Sequence, residues 1–267
     1  MEYEEIIATV QHAAGDIPRG EAERATAAVL RTLAERLPRG EARHLLRELP
    51  AELKPLVHKE TDDPERLDID DFLDRVAARE GTSVETALRN ARAVFAALGR
   101  ALSPEETGHL AANLPQTFDP LLAEIQGRQV SLMPASEFRR RVAQRLGTDD
   151  AAAWPVIEAV LGALAERIAA GQAEDLIAQL DPLLHPPLRQ GMIAAGPEAR
   201  RMPLDEFLRR VAVREGTDED EAGLRERTFE HVRAVFATLA EAVSPEEWFD
   251  LTAELPAEYP GLIPAAP

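Results

Sequence analysis

One stretch, spelled four times at nearly constant spacing, constrains the fold more than any other feature. FLDRVAAREGT (Phe72–Thr82), FRRRVAQRLGT (Phe138–Thr148) and FLRRVAVREGT (Phe207–Thr217) share a phenylalanine, a valine four residues on and a Gly-Thr ending, and IIATVQHAAGD (Ile6–Asp16) is a worn fourth copy. A spacing of four sets Phe72 with Val76, Phe138 with Val142, Phe207 with Val211 and Ile6 with Val10 on one face of a helix. The intervening arginines fall on the other faces and are expected to meet water or neighbouring acids. Glycine past a helix takes positive φ without a Cβ clash, so Gly15, Gly81, Gly147 and Gly216 are predicted stops. The anchors Ile6, Phe72, Phe138 and Phe207 lie 66, 66 and 69 residues apart, the longer step coming from extra residues in Asp218–Thr228. Self-similarity at such a period marks a repeated supersecondary unit.

Each opening helix leads into a longer one. Its stripe reads Val84, Leu88, Ala91, Val94, Phe95, Leu98, Leu102 in the second unit, with Val29, Leu30, Leu33, Leu37 in the first. Val160, Leu161, Leu164, Ile168 and Val235, Phe236, Leu239, Val243 match it in the third and fourth. A short third helix follows on Leu45 and Leu49, Leu110 and Leu114, Leu176 and Leu180, and Leu251 and Leu255, always eight residues after the preceding stripe ends. Pro50, Pro115 and Pro256 end three of these helices, whereas the third unit has Asp181-Pro182. Ser103-Pro104-Glu105-Glu106 and Ser244-Pro245-Glu246-Glu247 read as capping boxes, with proline pre-setting the first turn. Pro155 is expected to delay the start of the third unit's long helix. Linkers are expected at Lys59–Leu67, Ile125–Pro134 and Pro186–Met202, the last the most flexible on its Pro, Gly and Ala content, and the tail Ile263–Pro267 is expected to fray.

Aromatic content of 4% and the scarcity of alternating patterns favour an all-α fold with Leu, Val and Ala cores. Three helices of this size are few for an independent core, so units are expected to pair. The prediction is two tandem helical bundles, each made of two similar three-helix repeats: residues 1–130 (repeats 1–66 and 67–130) and 131–267 (repeats 131–200 and 201–267).

The F-x-x-x-V-x-x-x-x-G-T opening at Phe72, Val76, Gly81, Thr82 and its two copies is similar to the bacterial domain of unknown function 2267 family. So are the A-V-[LF]-x-x-L centre (Ala28–Leu33, Ala93–Leu98, Ala234–Leu239) and the punctuation at Leu102–Glu106 and Leu114–Pro115. The resemblance covers nearly the whole chain and implies an all-α bundle with two units per domain, hence two domains in tandem. The first unit departs in its opening stretch, and the third lacks the Ser-Pro cap and Leu-Pro ending. The matching positions are apolar residues or caps, so the resemblance implies no activity.

A formal net charge of −18 disfavours nucleic acid and anionic membrane surfaces and favours a basic protein partner. Without cysteine, disulfides, thiolate catalysis and Cys-ligated metal are excluded. MEYEEIIATV lacks the basic segment and apolar run of a signal peptide, and no apolar run reaches membrane-spanning length, so a cytoplasmic location is expected. Nucleotide-loop, nucleophile-elbow and H-E-x-x-H motifs are missing from the sequence.

His44 and His109 occupy the same place before the third-helix leucine, with Glu48 and Asn113 four residues on. A single such His/carboxylate pair is half a metal site, so a solvated face is expected, with no metal and no cofactor. Asp68, Asp70, Asp71 and Asp74 read as a helix start, Asp68 capping Asp71, and Asp218–Glu221 as another. Trp248 is in step with the core leucines, yet as a lone large residue it is also a candidate partner contact, as are Phe249, His44 and His109. The expected function is a non-catalytic helical protein-interaction or scaffold module. The alternative is a small-molecule sensing bundle. An enzyme would require His44, His109 or the Asp68–Asp74 group to converge in a cleft.

Overall fold

A computed structural model describes residues 1–58, 63–126, 132–196, 202–216, 223–256, 259 and 261–263. They fall into two compact units, Met1–Ser131 and Leu132–Pro267, all-helical and without a strand among the described residues. The first holds α1 (Tyr3–Ala13), α2 (Arg19–Arg36), α3 (Arg39–Glu48), α4 (Lys54–Val57), α5 (Ile69–Glu80), α6 (Val84–Ala101), α7 (Pro104–Asn113) and α8 (Asp119–Gln126). The second holds α9 (Ala135–Leu146), α10 (Asp150–Arg167), α11 (Ala170–Ala178), α12 (His185–Ala195), α13 (Leu204–Arg214), α14 (Leu224–Ala242) and α15 (Pro245–Glu254). No helix among the described residues is long and apolar enough to cross a membrane.

The two repeats of a unit interlock. Opening helix α1 packs on long helix α6, and α5 on α2, so each repeat's first helix lies against the other repeat's second. In the second unit α9 packs on α14 and α13 on α10 in the same way. The third helices meet pairwise, α3 with α7 and α11 with α15. Each opening helix also packs on the long helix of its own repeat, so a lone repeat would leave part of that apolar face uncovered. Ile6, Phe72, Phe138 and Phe207 and their valines Val10, Val76, Val142 and Val211 are all buried. Phe72 meets Phe95 and Phe118 edge-on at 6.3 and 5.2 Å between ring centres, and Phe207 meets Phe236 and Tyr259 at 6.1 and 5.4 Å. Each such ring contributes about 1.5–3 kcal/mol through its burial.

The arginines of the repeated stretch find acids on the crossing helix. Arg75 and Arg79 of α5, one turn apart, share Glu35 of α2. Arg141 and Arg145 of α9 share Glu241 of α14, and Arg210 and Arg214 of α13 share the buried Glu166 of α10. The fourth crossing, α1 on α6, has Thr9 and Ala13 in place of the arginines and Arg100 in place of the glutamate. The worn copy has lost both halves of the fork together.

The helix stops and starts stand largely as expected. Gly81 and Gly147 end α5 and α9 at φ +70° and +67°. Ser103 and Ser244 accept hydrogen bonds from the backbone N–H of Glu106 and Glu247, and Asp68 accepts from that of Asp71. Three expectations need correction. First, no repeat ends with its third helix: a turn built on the buried Leu53, Phe118, Leu184 or Tyr259 follows it. In three repeats it leads into α4, α8 or α12.

Second, the expected linker Pro186–Met202 contains most of α12, whose prolines occupy its first turn, where no helical N–H is lost. Its Gly191 lies against α10 so closely that a Cβ there would stand 2.2 Å from the Gly162 carbonyl oxygen. Small residues that resemble linker composition serve here as a close helix contact. Ile125, also placed in a linker, is buried at the end of α8, and Gly99 of α6 yields to its backbone. Third, Pro155 does not delay its helix: α10 begins at Asp150, capped by Asp149. The carbonyl that Pro155 leaves unbonded belongs to the exposed Ala151, where water can serve it. Asp218–Glu221, residues 59–62 and 127–131, and residues 264–267 of the tail lie outside the described residues.

Candidate functional site

The four residues singled out as contacts all lie on the third helices, whose pairing forms one antiparallel seam per unit. The capping boxes expected within α7 and α15 are only half made, because their second half comes from across the seam. Glu48, at the end of α3, accepts from the backbone N–H of Ser103 at 2.6 Å and from its hydroxyl at 2.6 Å, which holds the Glu48 carboxyl below its ordinary pKa. In the second unit Gln179 accepts from the N–H of Ser244 at 2.8 Å, and Glu254 from that of Ala169 at 2.9 Å. The fourth equivalent, Pro38, has no N–H to cap. Facing it, Asn113 donates instead to the carbonyl of His109 in its own helix.

This exchange frees the third-position glutamates, Glu106 and Glu247, to turn into the seam, where they are 6% and 7% exposed. Glu247 is met by amides: Gln172 donates at 2.6 Å and Gln179 at 3.2 Å. Burial raises its pKa, the Gln172 hydrogen bond opposes the rise, and Asp175 and Asp250 add to it.

Glu106 is met by imidazoles. His44 and His109, from opposite sides of the seam, have ring centres 5.6 Å apart. One donor atom from each of His44, Glu106 and His109 lies within 4.8 Å of the others. The contacts are reciprocal: His44 Nδ1 is 3.9 Å from Glu106, and His109 Nδ1 is 3.9 Å from Glu41. His109 Nδ1 and Glu41 Oε2 are buried without a hydrogen-bond partner. Burial raises the Glu106 pKa, the histidines oppose the rise, and Glu48 and Glu41 add to it. The expected solvated face with i,i+4 pairs is therefore corrected. Glu48 turns to Ser103, and the histidines, side chains 40% and 43% exposed, converge with a buried carboxylate. Neither Glu41 nor Glu106 stands out as a ligand in the sequence, since Ser103-Pro104-Glu105-Glu106 spells a capping box and Glu41 lies on the other repeat. The available signal was Glu-x-x-His spelled at equivalent places, Glu41–His44 and Glu106–His109.

Trp248 is not a surface contact. It is 3% exposed, edge-on to Phe236 at 6.3 Å, and belongs to the second unit's core. Phe249 is 70% exposed. Of the acidic group at the start of α5, Asp68 serves as a cap, and Asp74 has a raised pKa through partial burial and its acidic neighbours.

No curated protein and no solved structure matches the chain. A family model described as an uncharacterized conserved protein matches residues 3–121 and again 135–262, one match in each unit. The chain therefore belongs to the DUF2267 family and carries two tandem copies of its domain.

Proposed function

We propose that the chain is a non-catalytic helical interaction module, with the outer face of α15 as its contact surface and a basic protein segment as its partner. The observation that carries this reading is Phe249, 70% exposed on a face it shares with the exposed Glu246, three residues before it, with the exposed Asp250 next in the helix. A large apolar ring beside carboxylates fits an apolar side chain flanked by Lys or Arg. The charge balance supports it: six arginines of the repeated stretch are engaged by acids of the same unit, while the chain as a whole stands at −18.

The test is affinity capture on the immobilised full chain and on Phe249→Asp, at low and high salt, with mass spectrometry of what is retained. The expected outcome is a protein with a basic segment, held at low salt by the parent chain and lost both at high salt and on the variant. Equal retention on both chains would sink the assignment of this face.

A further inference from the structure

The two Glu-x-x-His motifs of the first unit are unused by this reading. Glu41 and His44 come from α3, and Glu106 and His109 from α7. Each histidine faces the glutamate of the opposite motif at 3.9 Å, too far for a hydrogen bond. Buried polar atoms ordinarily find partners, and two here have none: His109 Nδ1 and Glu41 Oε2. The carboxylates of Glu41 and Glu106 stand with two imidazoles, a donor set that suits a cation. The second unit shows a closed version of the same scaffold. There Gln172 and Gln179 stand where the first unit has Glu41 and Glu48, and they satisfy Glu247 directly.

We propose that His44, Glu106 and His109 form a binding site for a divalent transition-metal ion of the zinc class, with Glu41 as the carboxylate that orients His109. The donor set decides the class. Two imidazoles and a carboxylate suit zinc and its transition-metal neighbours, whereas calcium and magnesium prefer all-oxygen sites. Geometry permits it. Ligands at 2.0–2.1 Å from a tetrahedral ion stand about 3.3 Å apart, so donor atoms now within 4.8 Å must draw in by no more than about 1.5 Å. The half-exposed histidine rings can rotate that far, while Glu106 is fixed by burial. Three protein ligands leave a coordination position open to water or to a donor from a partner. Glu41, opposite His109 Nδ1, is the outer carboxylate that metal-bound histidines commonly keep, and its loss should cost about 10–100-fold in affinity.

The test uses the tag-free full chain, stripped with chelator, titrated with Zn2+ by calorimetry and with Co2+ by visible absorption. The expected result is one high-affinity equivalent per chain, a Co2+ ligand-field spectrum, and a higher Tm with Zn2+ present. His44→Ala, His109→Ala and Glu106→Gln should each abolish the equivalent, and Glu41→Gln should weaken it. A further variant, His44→Asp with His109→Asp, carries residues the fold already accepts at Asp175 and Asp250. It should keep its helix content and melt independently of Zn2+. Zinc binding of unchanged stoichiometry and affinity in that variant would assign the metal to the acidic surface and overturn the proposal, as would a featureless Co2+ titration of the parent chain. Because Phe249 is intact throughout, failure here leaves the partner reading untouched, and failure of that reading leaves this one.

Discussion

In the second unit Glu247 lies between two amides, and in the first Glu106, at the equivalent place, lies between two imidazoles. The helices around them are 9 or 10 residues long and pair the same way, and each unit caps a third helix from across the seam, in both directions in the second unit and in one in the first. A buried carboxylate is costly unless something donates to it. The second unit supplies neutral donors from its own chain, a closed structural solution. The first supplies groups that also bind cations and leaves Glu41 and His109 unpartnered at their inner atoms. Duplicated units can thus keep one scaffold while one copy satisfies its buried carboxylate from its own chain and the other leaves polar atoms of its seam without hydrogen bonds.

The comparison can be broken or sharpened experimentally. The largest effect should come from Trp248→Ala, since its ring fills a position held by Thr107 in the first unit. Deleting a buried tryptophan costs about 3–5 kcal/mol, and calorimetry of the full chain should show a lowered transition for the second unit with the first unchanged. Next comes the Arg–Glu fork. Glu166→Ala takes the acid from Arg214 and leaves Arg210 with Glu206 alone, beside a buried position, and should cost about 3 kcal/mol. Glu35→Ala, at a 30% exposed side chain, should cost about 1 kcal/mol, as read by denaturant midpoints. Equal losses would mean that burial does not set the strength of these forks.

Removing the shorter of the two amide donors with Gln172→Ala should leave Glu247 under-satisfied and cost about 1–3 kcal/mol. That loss should exceed the loss from Glu41→Ala in the metal-free first unit. A pH series tests the same group. The folded pKa of Glu247 is raised, so the native state keeps its proton to higher pH than the unfolded chain does. The resulting stabilisation is present below the ordinary glutamate pKa of 4.5 and is lost as pH rises through the folded value. Denaturation from pH 4 to 7 should therefore show wild type losing stability relative to Glu247→Gln as pH rises. A flat difference would refute the burial of that charge. The smallest effect should be that of Phe249→Asp, within about 0.5 kcal/mol, because the ring touches solvent.

Much of the fold was legible because it is local. Phe72 with Val76, the stop at Gly81 and the cap at Ser103 depend on residues within a few positions, and each stands as its spacing indicates. The interlocking of α1 with α6 was not legible, since periodicity says which face is apolar and not what covers it. Pro186 and Pro187 misled for a related reason: Pro, Gly and Ala mark a linker by composition, and only the contact of Gly191 with Gly162 shows them to begin a packed helix. Trp248 carried both readings in its sequence, and burial chose between them.

The sequence by itself determined that this chain is helical, fourfold repeated, paired into two bundles and acidic, because helical period, turn chemistry and charge are properties of short segments and of their sum. Only the tertiary structure decided that Glu48 caps Ser103 across 55 residues, and so released Glu106 to face His44 and His109. Which of two carboxylates takes a free N–H is a competition settled by packing, and the loser is left where chemistry can be built on it.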